Sequence, residues 1–153
     1  VQRFLTLGAD SGSRMDIWRD SLPIINDHPL GIGLGNYENV FQVYNQSLTS
    51  DKTVIHAHND YLQFLIETGW DGFIAIMSDI FIFLEKSARR IKQLEFRKDP
   101  LRFYLAVGAF SGLISMSVHG LFDFNLQIPA NCLYFVVLMA VLSTCTRPQR
   151  TTV

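Results

Sequence analysis

The chain has 153 residues, a net charge of −1 and a mean hydropathy of +0.18, bulk values that suit a small soluble domain and a half-membrane one equally. The length bounds it to about one domain, and no nucleic-acid partner is expected. The distribution of charge is more selective: residues 103–146 carry one charged residue, Asp123, whereas a soluble domain has roughly a quarter of its residues charged and interleaved along the chain.

The chain begins at Val1, and residues 1–20 hold neither an apolar run nor a small-residue cleavage site. The expectation is a C-terminal piece of a longer protein. Asp10-Ser11-Gly12-Ser13 offers N-caps for a helix from Arg14 to about Asn26, with Ile17, Leu22, Ile24 and Ile25 as its apolar positions and Pro23 as a kink. Asn26-Asp27-His28-Pro29 reads as a stop and turn. Gly31, Gly33 and Gly35 follow in a tight loop. A second helix is expected from Tyr37 to about Tyr44, then a polar loop over 45–53. A third should run from His58 to about Thr68, with Tyr61, Leu62, Leu65 and Ile66 on its apolar side and Gly69 ending it.

Three apolar segments come next, at about Trp70–Leu84, Phe103–Phe122 and Ile128–Cys145. A membrane-spanning helix needs about 20 mainly apolar residues, with a range of roughly 17–25. The second and third segments satisfy this. The first contains Asp71 and Asp79, and reaches span length by extending toward Ala88 with Lys86 snorkelling to the interface. The alternative, a soluble helical core, calls for a polar stripe, and the second and third segments lack a continuous one. They carry Gly108, Ala109, Ser111, Gly112, Ser115, Ser117 and Gly120 instead, small residues that let membrane helices approach. Cys132 and Cys145 lie in one helical run about 20 Å apart, beyond disulfide reach, and read as apolar packing residues.

Residues 85–102 hold seven basic and three acidic residues, whereas residues 1–71 hold four basic and nine acidic. By the positive-inside rule the basic loop is cytoplasmic. The expected architecture is therefore all-α: a polytopic helical membrane protein with three transmembrane helices and an outer helical loop region. Residues 1–70 lie outside, 71–88 span, 89–102 form the cytoplasmic loop, 103–122 span, 123–128 turn outside, 129–146 span, and 147–153 form a cytoplasmic tail.

The densest group of reactive side chains is His56-Ala57-His58-Asn59-Asp60. A histidine there can act as a general base near neutral pH. His-x-His is a weak metal signal, since a site needs three or four ligands. A helix cap with solvated imidazoles is the plainer alternative. Arg14 and Trp18 share a helix face. Arg14 also lies near the expected helix N-terminus, where anions are favoured, and its guanidinium can grip a pyrophosphate in bidentate fashion. An ion pair with Asp10 or Asp16 is the competing role. The glycines at 31, 33 and 35 match neither the dinucleotide fingerprint nor a P-loop and read as a tight turn with close backbone packing. His119 and Asp123, four apart at the outer end of a span, are expected to face each other, either as a structural pair or as a functional one. Asp79 in the first span poses the same choice. Glu67 is placed to help position the loop that carries His58.

Taken in order, Ser11-Gly12-Ser13-Arg14-x3-Trp18, His28-Pro29-Leu30-Gly31-x-Gly33-x-Gly35-Asn36 and His56-Ala57-His58-Asn59-Asp60-Tyr61-Leu62-Gln63-x3-Glu67-x-Gly69 resemble the C-terminal domain of the O-antigen ligase/Wzy polymerase family. His119-Gly-Leu-Phe-Asp123-Phe-Asn-Leu-Gln127-Ile-Pro129-Ala-Asn131 resembles that family's final helical pair, so the likeness covers nearly the whole chain. It implies a multi-pass protein of the bacterial inner membrane with residues 1–70 in the periplasm. The implied activity is a metal-independent, cofactor-free, inverting transfer of a glycan from undecaprenyl diphosphate to a hydroxyl of lipid A-core or a similar acceptor. By that likeness His58 takes the acceptor's proton and Arg14 holds the diphosphate. His56, Asn59, Glu67, His119 and Asp123 contact or position substrate. A second periplasmic arginine is implied upstream, and this piece is expected to be inactive alone. Three alternatives stay open: a polysaccharide polymerase of the same family, a transporter like the relatives labelled as inorganic-carbon transporters (with Asp79, His119 and Asp123 lining a path), and a non-catalytic scaffold.

Overall fold

The computed structural model describes residues 2–47 and 54–147, with side chains from residue 14 onward. Among the described residues there are five helices and no strand: α1 Gln2–Asp27, α2 Tyr37–Tyr44, α3 Asp60–Ile91, α4 Pro100–His119 and α5 Pro129–Cys145. The chain divides into two compact units. One comprises residues 1–76 and 120–124, and the other residues 77–119 and everything from 125 onward.

In the first unit α1 starts earlier than expected, so residues 10–13 lie inside the helix rather than capping it. Elongation adds a backbone hydrogen bond for each residue, whereas a side-chain cap satisfies only one orphaned donor. Pro23 withholds its own donor, yet the helix runs on to Asp27. The buried face of α1 is Ile17, Asp20, Ser21 and Ile24, a helical i, i+3, i+4, i+7 stripe that is half polar. Leu22, expected on the apolar side, is exposed. Both buried polar groups are paired. The Ser21 hydroxyl donates to the Ile17 carbonyl at 2.7 Å and meets the Tyr37 hydroxyl at 2.8 Å. Asp20 accepts from the backbone N–H groups of Gln46 and Ser47 at 2.9 and 2.8 Å and from the Ser47 hydroxyl at 2.9 Å. Burial pushes the Asp20 carboxyl up, and these three hydrogen bonds outweigh it and hold the group below its ordinary range. Burial likewise raises the Tyr37 phenol. Tyr37 and Phe41, stacked at 5.4 Å, present the buried face of α2 to a core completed by Ile17, Ile24, Val54, Ala57 and Ile66.

Gly69 breaks α3 with φ 69° and ψ −178°, where the first apolar segment was expected to be set off. The glycine loop docks on this break. Ile32 N–H donates to the Ile66 carbonyl at 3.0 Å, Gly33 N–H to the Glu67 carbonyl at 2.9 Å, and Trp70 N–H to the Pro29 carbonyl at 3.1 Å. A distant loop thus satisfies carbonyls that a helix end leaves unpaired. A Cβ on Gly31 would lie 2.5 Å from the Glu67 carbonyl oxygen and from the Gly69 nitrogen, and φ is +86° there. Only glycine fits that crossing without distortion.

In the second unit α4 and α5 pack through Ala106, Ala109, Leu113, Phe135, Leu142 and Cys145. Small residues allow the approach: a Cβ on Gly112 would lie 3.0 Å from Leu138. Cys145 is buried and Cys132 exposed. α4 begins at Pro100 rather than at 103, because Asp99 caps it (Oδ1 accepts the Arg102 N–H at 3.0 Å) and Pro100 suits a first helical position. It ends at His119 rather than 122, so the expected i, i+4 pairing of His119 with Asp123 on one helix does not form. Among the described residues, α4 is the one helix long and apolar enough to cross a membrane, and 83% of its apolar window is left unburied, since 17% is buried. A soluble core helix would be mostly covered. α5 is apolar but, at 17 residues, shorter.

Candidate functional site

The site is a turn held from behind. Asn59 caps α3: its Oδ1 accepts the Leu62 N–H at 3.0 Å and its carbonyl accepts the Gln63 N–H at 3.0 Å. Just before it, His58 adopts φ +51°, a left-handed conformation that costs a non-glycine residue about 1–3 kcal/mol and persists only where its surroundings fix it. The fixing is done at Ala57, which is fully buried. Trp18 Nε1–H donates to the Ala57 carbonyl at 2.8 Å. Ala57 N–H donates to Gln63 Oε1 at 3.1 Å. Gln63 is aimed in turn by buried Glu67, whose Oε1 accepts from Gln63 Nε2 at 3.1 Å, with His56 Nδ1 3.5 Å from the same nitrogen.

The front of the site comes from residues 120–124. Asp60 N–H donates to the Gly120 carbonyl at 2.8 Å. A Cβ on Gly120 would sit 2.8 Å from Asp60 Oδ2, so a side chain there would have to push that carboxylate aside. This anchor sets Phe124 between the two imidazoles, stacked on His56 at 4.7 Å and edge-on to His58 at 5.0 Å. It also brings Asp123 Oδ1 to 3.4 Å from His58 Nδ1, an ion-pair distance rather than an aligned hydrogen bond. The same Asp123 oxygen accepts the Phe124 N–H at 2.9 Å. Arg14 Nη1 donates to the Phe122 carbonyl at 3.3 Å. His58 and Asp123 are open to solvent over 33% and 37% of their side chains, enough for a ligand to reach them.

Of the residues expected in the site, Arg14, His56, His58 and Asp123 come together in this unit, with Glu67 behind them through Gln63. Asn59 spends its Oδ1 on the cap. Asp123 pairs with His58 rather than His119. His119 ends α4 in the second unit, where it lines a cavity of about 390 Å³ with Ser115, Asn125, Asn131 and Tyr134. Asp79 is exposed on α3. Arg14 is not at a helix N-terminus, since α1 begins at Gln2; nor does it pair with Asp16, which lies 3.8 Å from Arg19. Asp10 lies outside the described side chains. Trp18, Gln63 and Phe124 were not singled out as site residues. All three stand within the motifs quoted above, but the place of Phe124 between the imidazoles depends on a pairing of distant segments that no local pattern carries. Among the described residues no three His, Cys, Asp or Glu side chains are grouped to hold a metal ion.

The features define an all-helical protein with an imidazole–carboxylate pair, a nearby guanidinium and an apolar helix of spanning length. Residues 6–77, a little under half of the chain, match the family model described as O-antigen ligase, a match consistent with a fragment of that family. The match takes in α2, the glycine loop, the His56–Asp60 turn and most of α1. No curated protein and no solved structure matches the chain.

Proposed function

We propose that this chain supplies part of the active site of a glycosyltransferase that moves a glycan from undecaprenyl diphosphate to a hydroxyl acceptor, lipid A-core or a similar glycan, at the periplasmic face of the bacterial inner membrane. The observation that carries the reading is the His58–Asp123 pair beside Arg14, within a unit most of which lies in the O-antigen ligase match. In the reaction, His58 Nδ1 faces Asp123, which leaves Nε2 to take the acceptor hydroxyl's proton, with the carboxylate orienting the ring and stabilising the imidazolium. The acceptor oxygen bonds to the anomeric carbon as the bond from that carbon to the diphosphate breaks. The departing electron pair stays on phosphate oxygen, and Arg14 neutralises it there. A guanidinium has five N–H donors, and the one given to Phe122 leaves a fork for the phosphates. Inversion and independence of metal go with this single displacement. His56 and Asn59 border the bound sugar in this scheme, and His119 belongs to the acceptor or lipid path.

The three-span topology is part of the same proposal. α4 and α5 cross the bilayer, as does α3 beyond Gly69, and the basic residues between α3 and α4 stay inside. Polymerase and ligase share this chemistry and differ in the acceptor. In the full-length protein, His58→Ala should abolish surface glycan while leaving protein abundance intact, read by glycan staining beside an immunoblot. Wild-type glycan in that variant removes the base assignment.

A further inference from the structure

The second unit holds a cavity of about 340 Å³ where the end of α3, the following loop, the start of α4 and the end of α5 meet. This is within the ~300–1,000 Å³ of small-ligand sites, the scale of a lipid headgroup rather than of a protein segment. Four cations line it, Arg90, Lys98, Arg102 and Arg147, against two carboxylates, Glu95 and Asp99. The carboxylates are engaged: Glu95 pairs with Lys98 at 2.8 Å, and Asp99 caps α4. Arg102 is engaged too, its guanidinium donating to the Cys145 carbonyl at 2.6 Å and to the Arg147 carbonyl. Arg90 and Arg147 have no ion-pair partner among the described residues, so the cavity keeps a surplus of positive charge.

A second observation separates a lipid from a free anion. Beside the cavity Phe96, Phe103 and Tyr104 form a cluster of edge-on rings 5.4–6.0 Å apart, and Tyr104 and Leu101 are exposed over 63% and 69% of their surfaces. Aromatic rings next to cations at one end of a spanning helix are the composition of a membrane–water interface, and basic pockets between helix ends suit anionic headgroups. We infer that this cavity binds the phosphate headgroup of an anionic phospholipid, with the ring cluster lying among the upper acyl carbons. That the leaflet is the cytoplasmic one rests on the topology proposed above.

The test uses the full-length protein in neutral detergent, with native mass spectrometry counting bound phosphatidylglycerol and phosphatidylcholine. Phosphatidylglycerol should be retained selectively, and affinity should fall roughly fivefold for each of Arg90→Gln and Arg147→Gln. The control Lys92→Gln, which likewise removes one positive charge, two residues from Arg90 and outside the cavity lining, should keep it. Equal retention of both lipids, or equal loss in the control, overturns the site. Stabilisation of the thermal midpoint by inorganic phosphate as strong as that by phosphatidylglycerol also overturns it, in favour of a free-anion site. Detergent has no sides, so these outcomes judge the cavity alone. Labelling of Gln93→Cys, in protein carrying Cys132→Ser and Cys145→Ala, from outside intact cells would instead refute the topology.

Discussion

Ala57 has the smallest side chain in the His56–Asp60 turn that still fixes a direction, and it is the residue on which the histidines hang. Its carbonyl and its N–H are both answered by side chains, Trp18 and Gln63, so the left-handed His58 is held from both sides of the preceding residue. Arg14, one turn before Trp18 on α1, reaches the Phe122 carbonyl, so one helix face both buttresses the turn and delivers the guanidinium. Under the proposed reaction Arg14→Lys keeps the charge and loses the planar fork. The expected result is a loss of transfer rate of about tenfold or more, as for losing a charge-assisted hydrogen bond of roughly 1.5–3 kcal/mol. Donor turnover by the purified full-length variant measures it, and wild-type turnover would make Arg14 a surface residue.

At the scale of elements, the glycine loop and the break in α3 form one device. Gly31 and Gly69 meet backbone to backbone, and three hydrogen bonds cross the junction. Gly31→Ala forces a Cβ into the Glu67–Gly69 backbone. It should destabilise the protein by about 2–4 kcal/mol. Gly35→Ala, at φ +75° with open space around it, should cost only about 1–2 kcal/mol. Thermal unfolding of both in one detergent checks the order, and equal midpoints would remove the docking role. The Asp20 anchor gives a pH signature. Its carboxyl is depressed in the folded state, so its stabilisation is complete above the unfolded value of about 3.9 and is lost as pH falls through the lower folded value. Asp20→Asn should lose about 1–3 kcal/mol at pH 7 and progressively less as pH falls below about 3.9, as acid-unfolding curves would show; a loss independent of pH would mean that the charge is idle.

The same elements show what was legible. α2, the Gly69 break and α5 follow from local pattern: an eight-residue amphipathic stretch between turns, a glycine between two helical periods, and a proline-led apolar run. The starts of α1 and α4 did not come out, the first because a plausible cap lies inside a longer helix, the second because Asp99-Pro100 was absorbed into a basic loop. Arg14, His56 and His58 were legible as candidates from residue type and order. The His58–Asp123 pair was not, since it requires the 120–124 turn to return to the start of α3 through the Asp60–Gly120 hydrogen bond, and the helical spacing of His119 and Asp123 pointed to a different partner.

For the whole molecule, the apolar face of α4 and the near absence of charge across 103–146 fit a chain that meets lipid, and the reaction assigned to the imidazole has meaning only where lipid-linked glycans are presented. The decisive measurement is therefore sidedness at the site. Ile55 is exposed next to His56, so Ile55→Cys, in full-length protein carrying Cys132→Ser and Cys145→Ala, offers a thiol at the edge of the turn. A membrane-impermeant maleimide applied to cells with a permeabilised outer membrane should label it while the inner membrane is intact. Labelling only after the inner membrane is opened would put the histidines in the cytoplasm and contradict the proposed function.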